Sequence, residues 1–245
     1  MWWLVSKNKR VSISIKNNID NLEIGNPTLF LDSRKQKLLK TKYKKEYQIF
    51  LPYKDSEKVI FYKNTKPKVI LLEIICLKEL KHSDILGVMF SLNINENYFG
   101  DIVIKDDRYF IYIFEHLKEY LISNLNSIKN NNVEIKEVNI KYLENYERKY
   151  EVIEFVSTSE RLDKIVSNLT HINREKIKEK IKNKEIFVNY EIKNPTYILK
   201  ENDILSIRKF GKYKYVGIKN KTKNNNLIIN VLKYQWFFDK NIIKW

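Results

Sequence analysis

The side chains with most chemical capacity in this sequence are cations gathered between residues 157 and 218. Arg161, Arg174, Lys176 and Arg208 form the centre of the group, Lys180 and Lys212 its margin, Lys184 and Lys214 extend it, and Asn173 adds an amide beside Arg174. Residues 156–225 hold 17 Lys+Arg against 8 Asp+Glu, so this stretch supplies +9 of the chain's net +16. That surplus suits a polyanion, because each Lys or Arg paired with a phosphate releases condensed counterions. Three of the chain's seven Arg lie here, and a guanidinium grips phosphate through two parallel N–H bonds where an ammonium is a point charge.

Other chemistries find little support. Gly25, Gly87, Gly100, Gly211 and Gly217 are too dispersed for a P-loop or a dinucleotide fingerprint. His82, His116 and His171 lack the spacing of a metal site or a catalytic triad. Cys76 is the single cysteine, which excludes a disulfide framework and a thiolate zinc site; within the apolar run Val69–Leu77 it is expected to be buried. No metal, no cofactor and no catalytic residue is expected, and the chain reads as a binding protein rather than an enzyme.

The elements that must position the cations can be read in outline. Ser157 with Glu160 three residues on fits a capping box opening one helix. Asn173 is a good N-cap for a second, in which Ile177 and Ile181 form a core stripe. Arg174, Lys178 and Lys182 then line one edge of that stripe, and Lys176 and Lys180 the other. Small strands follow. After the Asn224–Asn226 turn, Leu227–Leu232 suits a closing strand. Trp236, Phe237, Phe238, Ile242, Ile243 and Trp245 are expected to fold back on the body.

Residues 157–211 resemble the S-four RNA-binding domain (the alpha-L motif). The resemblance rests on Arg161-Leu162-Asp163, Arg174, Ile186-Phe187-Val188-Asn189 and Asp203-Ile204-Leu205-Ser206-Ile207-Arg208. Lys184 and Asn202 stand where the pattern has glycine, so backbone with positive φ is expected at both. Lys and Asn abundance could also reflect AT-rich codons, with the charges serving solubility alone. The coincidence of charge and motif favours RNA.

Upstream, Val69–Leu77 reads as a central strand and Ser83–Leu92 as a helix; Phe99–Lys105 and Tyr109–Phe114 read as strands joined at Asp106-Asp107-Arg108. A helix over His116–Ile128 and a strand over Val133–Val138 complete a β-α-β-β-α-β order, a ferredoxin-like split unit. Phe110, Tyr112 and Phe114 alternate onto one strand face, where they could stack bases; the favoured reading is core against the helices. In the least legible part, Val11–Ile15 alternates like a strand, Asp32 could cap a helix over Ser33–Lys42, and Gln48–Leu51 and Val59–Tyr62 read as strands. The fold class is α+β. The divisions are 1–66 (an N-terminal α/β region), 67–150 (ferredoxin-like), 156–225 (S-four) and 226–245 (closing strand and apolar tail).

Leu80-Lys81-His82-Ser83-Asp84-Ile85-Leu86-Gly87, Phe99-Gly100-Asp101-Ile102 and Phe30-Leu31-Asp32-Ser33-Arg34-Lys35-Gln36 resemble elements of YlmH-like proteins, as do Phe210-Gly211-Lys212-Tyr213 and Lys221-Thr222-Lys223. The resemblance covers roughly residues 28–225; the family's leading helix looks shortened or absent. Ser83 and Asn95-Glu96 replace basic residues of the family, which shifts RNA contact onto the S-four surface. The resemblance implies a non-catalytic factor for structured RNA, ribosomal and transfer RNA, on the large ribosomal subunit. It would stabilise a stalled peptidyl-tRNA complex in ribosome quality control. The alternative is a protein-interaction adaptor in cell division with secondary RNA binding. No apolar stretch reaches the length of a membrane span and Met1–Val5 is too short for a signal peptide, so a cytoplasmic monomer is expected.

Overall fold

Asp32 places the first boundary that both sequence and structure share. In the computed structural model, which describes residues 2–235 (side chains from Ser12 onward), its carboxylate accepts the Lys35 N–H at 2.9 Å and opens a helix over Ser33–Lys42. Two compact units are present, one running to Glu147 and the other Arg148–Gln235.

The first unit begins with helices α1 (Trp2–Glu23) and α2 (Ser33–Lys42) and the paired strands β1 (Gln48–Phe50) and β2 (Ile60–Tyr62). Next come β3 (Val69–Cys76), α3 (His82–Ser91), β4 (Phe99–Lys105), β5 (Arg108–Phe114), α4 (Lys118–Asn124), β6 (Ser127–Ile128) and β7 (Asn131–Val138). These strands form one antiparallel sheet in the order β4-β5-β3-β7-β6. Alternation along β5 explains why the sheet's centre is apolar on both sides. Tyr109, Ile111 and Ile113 pack with Ile85 and Met89 of α3 and Leu121 of α4. Phe110, Tyr112 and Phe114 are also core, but on the opposite face, with Phe30, Tyr53, Ile60 and Leu143. The aromatic row therefore packs away from the helices, not against them as expected. Gly100 is required there by close approach, since a Cβ would lie 3.0 Å from both the Phe30 ring and Tyr112 Cβ.

Three expectations for this unit are corrected. Val11–Ile15 is helical, inside the 22-residue α1. Ile15, Ile19 and Leu22 recur at helical spacing and join the core with Leu31, Leu39 and Phe61, so tertiary burial overrides the local alternation. The helix expected over His116–Ile128 is a 3₁₀ turn at Glu115–Leu117 followed by the short α4. Ser127 and Ile128 instead pair with β7 through a hairpin turn in which Lys129 and Asn130 take φ of 50° and 62°. Cys76, at the end of β3, is half-buried rather than buried. The side chains of Trp2 and Trp3, and residues 236–245 with their expected fold-back, lie outside the described residues.

The second unit comprises β8 (Tyr150–Ser157), α5 (Leu162–Thr170), α6 (Arg174–Lys182), β9 (Ile186–Val188), β10 (Ile204–Ile207), β11 (Gly211–Lys221) and β12 (Leu227–Tyr234). Its sheet order is β8-β12-β11-β10-β9, every pair antiparallel. Leu162, Ile165, Val166, Ile177 and Ile181 of the helices cover one face of the sheet, against Val188, Leu205, Ile207, Tyr213, Tyr215, Ile229 and Val231. The strand beginning at Leu227 lies between β11 and β8, inside the sheet rather than closing it.

Candidate nucleic-acid interface

The site is built where α5 and α6 begin. No capping box opens α5: Ser157 is the last residue of β8, and its hydroxyl donates to the Ser159 carbonyl at 2.7 Å. Glu160 instead accepts the Tyr215 hydroxyl at 2.6 Å. The first N–H groups of the helix are satisfied by backbone, Leu162 donating to the Tyr197 carbonyl at 2.8 Å and Asp163 to that of Pro195 at 3.0 Å. A loop carbonyl thus does what the expected Ser side chain would have done.

That arrangement leaves the Asp163 carboxylate available to cations. It is fully buried (0% exposed) and accepts Arg161 Nε at 3.1 Å, Arg161 Nη2 at 3.0 Å and Arg174 Nη2 at 2.7 Å. Burial works to raise this carboxyl, but the hydrogen bonds from both arginines outweigh it and hold it below the ordinary carboxylate value. The reverse effect, led by the hydrogen bond to Asp163, raises Arg161. Arg174 reaches Asp163 because His171 ends α5 in the left-handed conformation (φ 56°), turning the chain back. Asn173 then caps α6, accepting the Lys176 N–H at 2.9 Å. The two arginine side chains remain 32% and 41% exposed, so one carboxylate fixes two cations and the cluster keeps a net positive charge.

A second group gathers at the other end of α6. Lys180 donates to Glu185 at 2.8 Å, and the exposed Arg208 follows β10, its N–H bound to the Glu185 carbonyl at 2.9 Å. The Lys180 hydrogen bond, outweighing burial, lowers the Glu185 carboxyl. Lys184 sits between them at φ 61°, the positive-φ turn expected, and Asn202 takes φ 68°. Arg174 and Lys180 are roughly 9 Å apart along the helix axis at 1.5 Å per residue. Lys176 is exposed on α6 between the two groups.

Lys212 and Lys214 belong to neither group. On β11 they flank Tyr213, whose ring is in the core beneath the helices, so both point to the opposite face of the sheet. The nine candidates therefore do not form one patch. Arg161, Asn173, Arg174, Lys176, Lys180, Lys184 and Arg208 lie along α5, α6 and the adjoining turns, and two lysines lie behind. Lysine alternating with tyrosine through Lys212-Tyr213-Lys214-Tyr215 is the sequence signal that marks the split.

The Phe30–Gln36 segment is structural. Lys35 is buried with its ammonium donating to Asn97 at 2.6 Å and Glu96 at 3.0 Å, and Gln36 donates to the carbonyls of Leu31 and Glu57. Lys58 donates to the carbonyls of Glu96 and Phe99 at 2.6 and 3.0 Å, and burial pushes it down to about 8. Residues 69–142 hold 8 Lys+Arg against 11 Asp+Glu. Arg108 is bound to Glu73, Lys118 to Glu137 and Lys129 to Asp84. Charge therefore favours the second unit as the polyanion surface. Among the described residues, no group of three or more His, Cys, Asp or Glu could hold a metal ion, and no helix is long and apolar enough to cross a membrane.

Residues 69–142, the strands and helices from β3 to the turn after β7, match the family described as "Putative RNA-binding domain in YlmH". The chain is 26% identical over 145 residues to the ribosome-associated protein quality control protein P2 of Bacillus subtilis (strain 168). That similarity covers 59% of this chain and 56% of the relative, so the chain spans about half of that protein's length. It is also similar to the solved structure of the cell division protein ylmH from Streptococcus pneumoniae, at 23% identity and a TM-score of 0.45, over 55% of this chain and 93% of that one. By the matched domain and the curated relative, the chain is similar to YlmH-like proteins.

Proposed function

We propose that the chain is a non-catalytic factor that binds structured RNA through α5 and α6. The observation that carries this reading is the pair Arg161 and Arg174, locked on one buried carboxylate within a stretch of net +9. Two guanidiniums held on one carboxylate are ordered before a phosphate arrives, and the lysines of α6 extend the field. In this reading the second unit is an S-four domain, its motif residues providing the Arg–Asp–Arg cluster. The first unit is ferredoxin-like, a view supported by the order β4-β5-β3-β7 with a helix after β3 and another after β5. The acidic balance of its residues 69–142, 8 Lys+Arg against 11 Asp+Glu, makes that sheet a scaffold rather than the principal RNA contact.

The relative's name, a ribosome-associated quality control protein, supports ribosomal RNA as the target. The finer reading is a cytoplasmic monomer bound to the large subunit where ribosomal RNA meets transfer RNA, holding a stalled peptidyl-tRNA complex. The test is co-sedimentation with large subunits carrying or lacking peptidyl-tRNA, across a salt series. Retention that falls steeply with salt and rises with peptidyl-tRNA is expected. Equal retention at all salt concentrations, or none with either particle, would refute it.

A further inference from the structure

The strand order of the second unit leaves two sheet edges, and they differ. At one edge β9 is three residues long and is followed by positive φ at Asn189 and Tyr190 (49° and 63°), a short edge of the kind that discourages pairing. At the other edge β8 runs for eight residues, contains no proline and pairs with β12 without a register shift.

Hydrogen-bond parity shows what the long edge offers. The Gln235 N–H donates to the Lys149 carbonyl at 3.3 Å, and the register continues with Glu151 opposite Lys233, Ile153 opposite Val231 and Phe155 opposite Ile229. Bonds to β12 thus fall on the odd-numbered residues, and the N–H and C=O groups of Val152, Glu154 and Val156 point away from the sheet. Among the described residues these groups have no hydrogen-bond partner. Val152 and Val156 are also 60% and 51% exposed, whereas Ile153 and Phe155 pack on the core beneath α5 and α6. Both acids of the strand are neutralised, Glu154 by Lys219 at 2.6 Å and Glu151 by Lys233 at 3.4 Å.

A row of backbone donors and acceptors beside exposed valines is matched by another extended backbone, whose ladder bonds give affinity and whose alternate side chains give specificity. The adjoining residues 156–225 carry net +9, which favours a segment of negative charge. A second copy of the chain brings another net +16 and, paired about Glu154, sets two carboxylates opposite each other.

We propose that the outer edge of β8 binds an extended, acidic segment of a partner protein, with aliphatic side chains beside Val152 and Val156, as an added strand of this sheet. The proposal uses none of the α5 and α6 residues assigned to RNA. One unit then holds RNA on its helices and a protein strand at its edge.

The test uses the full chain and two octapeptides, valine alternating with aspartate and valine alternating with lysine. Binding is read by fluorescence anisotropy and amide hydrogen exchange by NMR. In the free chain the amides of Val152, Glu154 and Val156 should exchange about tenfold faster than those of Ile153 and Phe155, and the aspartate peptide should slow all three. The lysine peptide should bind about fivefold more weakly. Glu154→Pro removes an outward N–H, leaves the ladder to β12 whole, and should weaken the aspartate peptide by about fivefold. Val152→Glu/Val156→Glu, at exposed positions, should weaken it as much and covers the case where the proline variant misfolds. Slow exchange at Val152, Glu154 and Val156 in the free chain would overturn the proposal. So would equal binding of the two peptides, or unchanged affinity in either variant when folded.

Discussion

Asp163→Asn separates a pre-organised arginine pair from a mere concentration of charge, because the two ideas differ in sign. The substitution keeps the side chain's shape and removes one negative charge from directly behind Arg161 and Arg174. If charge alone governed RNA affinity, binding would tighten. A phosphate held by the arginines would stand roughly 8 Å from Asp163, which in water-like dielectric is worth about 0.5 kcal/mol, or about twofold. Physiological salt shrinks that further. Pre-organisation acts the other way. An Asn amide has one acceptor oxygen where three donor contacts now converge, so at least one guanidinium is released. Ordering two long side chains afresh on binding costs about tenfold. The net expectation is RNA affinity about fivefold weaker despite a more positive protein. The assay is anisotropy against an RNA hairpin over a salt series, below the melting transition, with circular dichroism confirming the fold. A variant that binds more tightly than the parent would refute the reasoning.

Burial lowers Lys58 to about 8 in the folded chain, whereas the unfolded chain keeps the ordinary 10.5, so between these values the unfolded state holds the extra proton. Stability should therefore rise by on the order of 1–3 kcal/mol as pH increases from 8 toward 10.5. Denaturant melts should show no such rise in Lys58→Met relative to its own baseline. Asp163 is also shifted down, which for a carboxylate favours the charged form, so the stability it contributes should persist at pH 5 and be lost only as pH falls below the ordinary 3.8. An acid-unfolding midpoint unchanged in Asp163→Asn would contradict this. Gly100→Ala should cost about 1–3 kcal/mol, read as a lower melting temperature, because the new methyl meets Phe30 and Tyr112 at 3.0 Å. Asn173→Ala should cost about 1 kcal/mol through the lost cap on α6.

What could be read from sequence was what local chemistry decides. Asp32 and Asn173 are good caps wherever they stand, and helices begin after both. Asp106-Asp107 tolerates positive φ, and the strands on either side pair as expected. Errors arose where a distant segment decides. Ser157-x-x-Glu160 looks like a capping box, but the carbonyls of Pro195 and Tyr197 take the helix N–H groups first. The Val11–Ile15 alternation gives way to the core position of Ile15 in α1. Of the site, the candidate cations were visible but their division was not. Arg174 joins Arg161 only because the left-handed turn at His171 folds α6 back to Asp163. Lys212 and Lys214 were grouped with the helical cations because charge sums carry no facing; pairing with Ser206 and Ile204 on β10 decides it.

The most direct measurement is the salt dependence of RNA binding by Arg161→Ala/Arg174→Ala. The logarithm of affinity falls against the logarithm of salt with a slope of about 0.7–0.9 per phosphate contacted. If these arginines are the phosphate clamp, the double variant should bind a structured RNA at least tenfold more weakly, across unrelated sequences, with the slope shallower by about two contacts. Affinity and slope equal to those of the parent, in a folded variant, would contradict an RNA surface on α5 and α6.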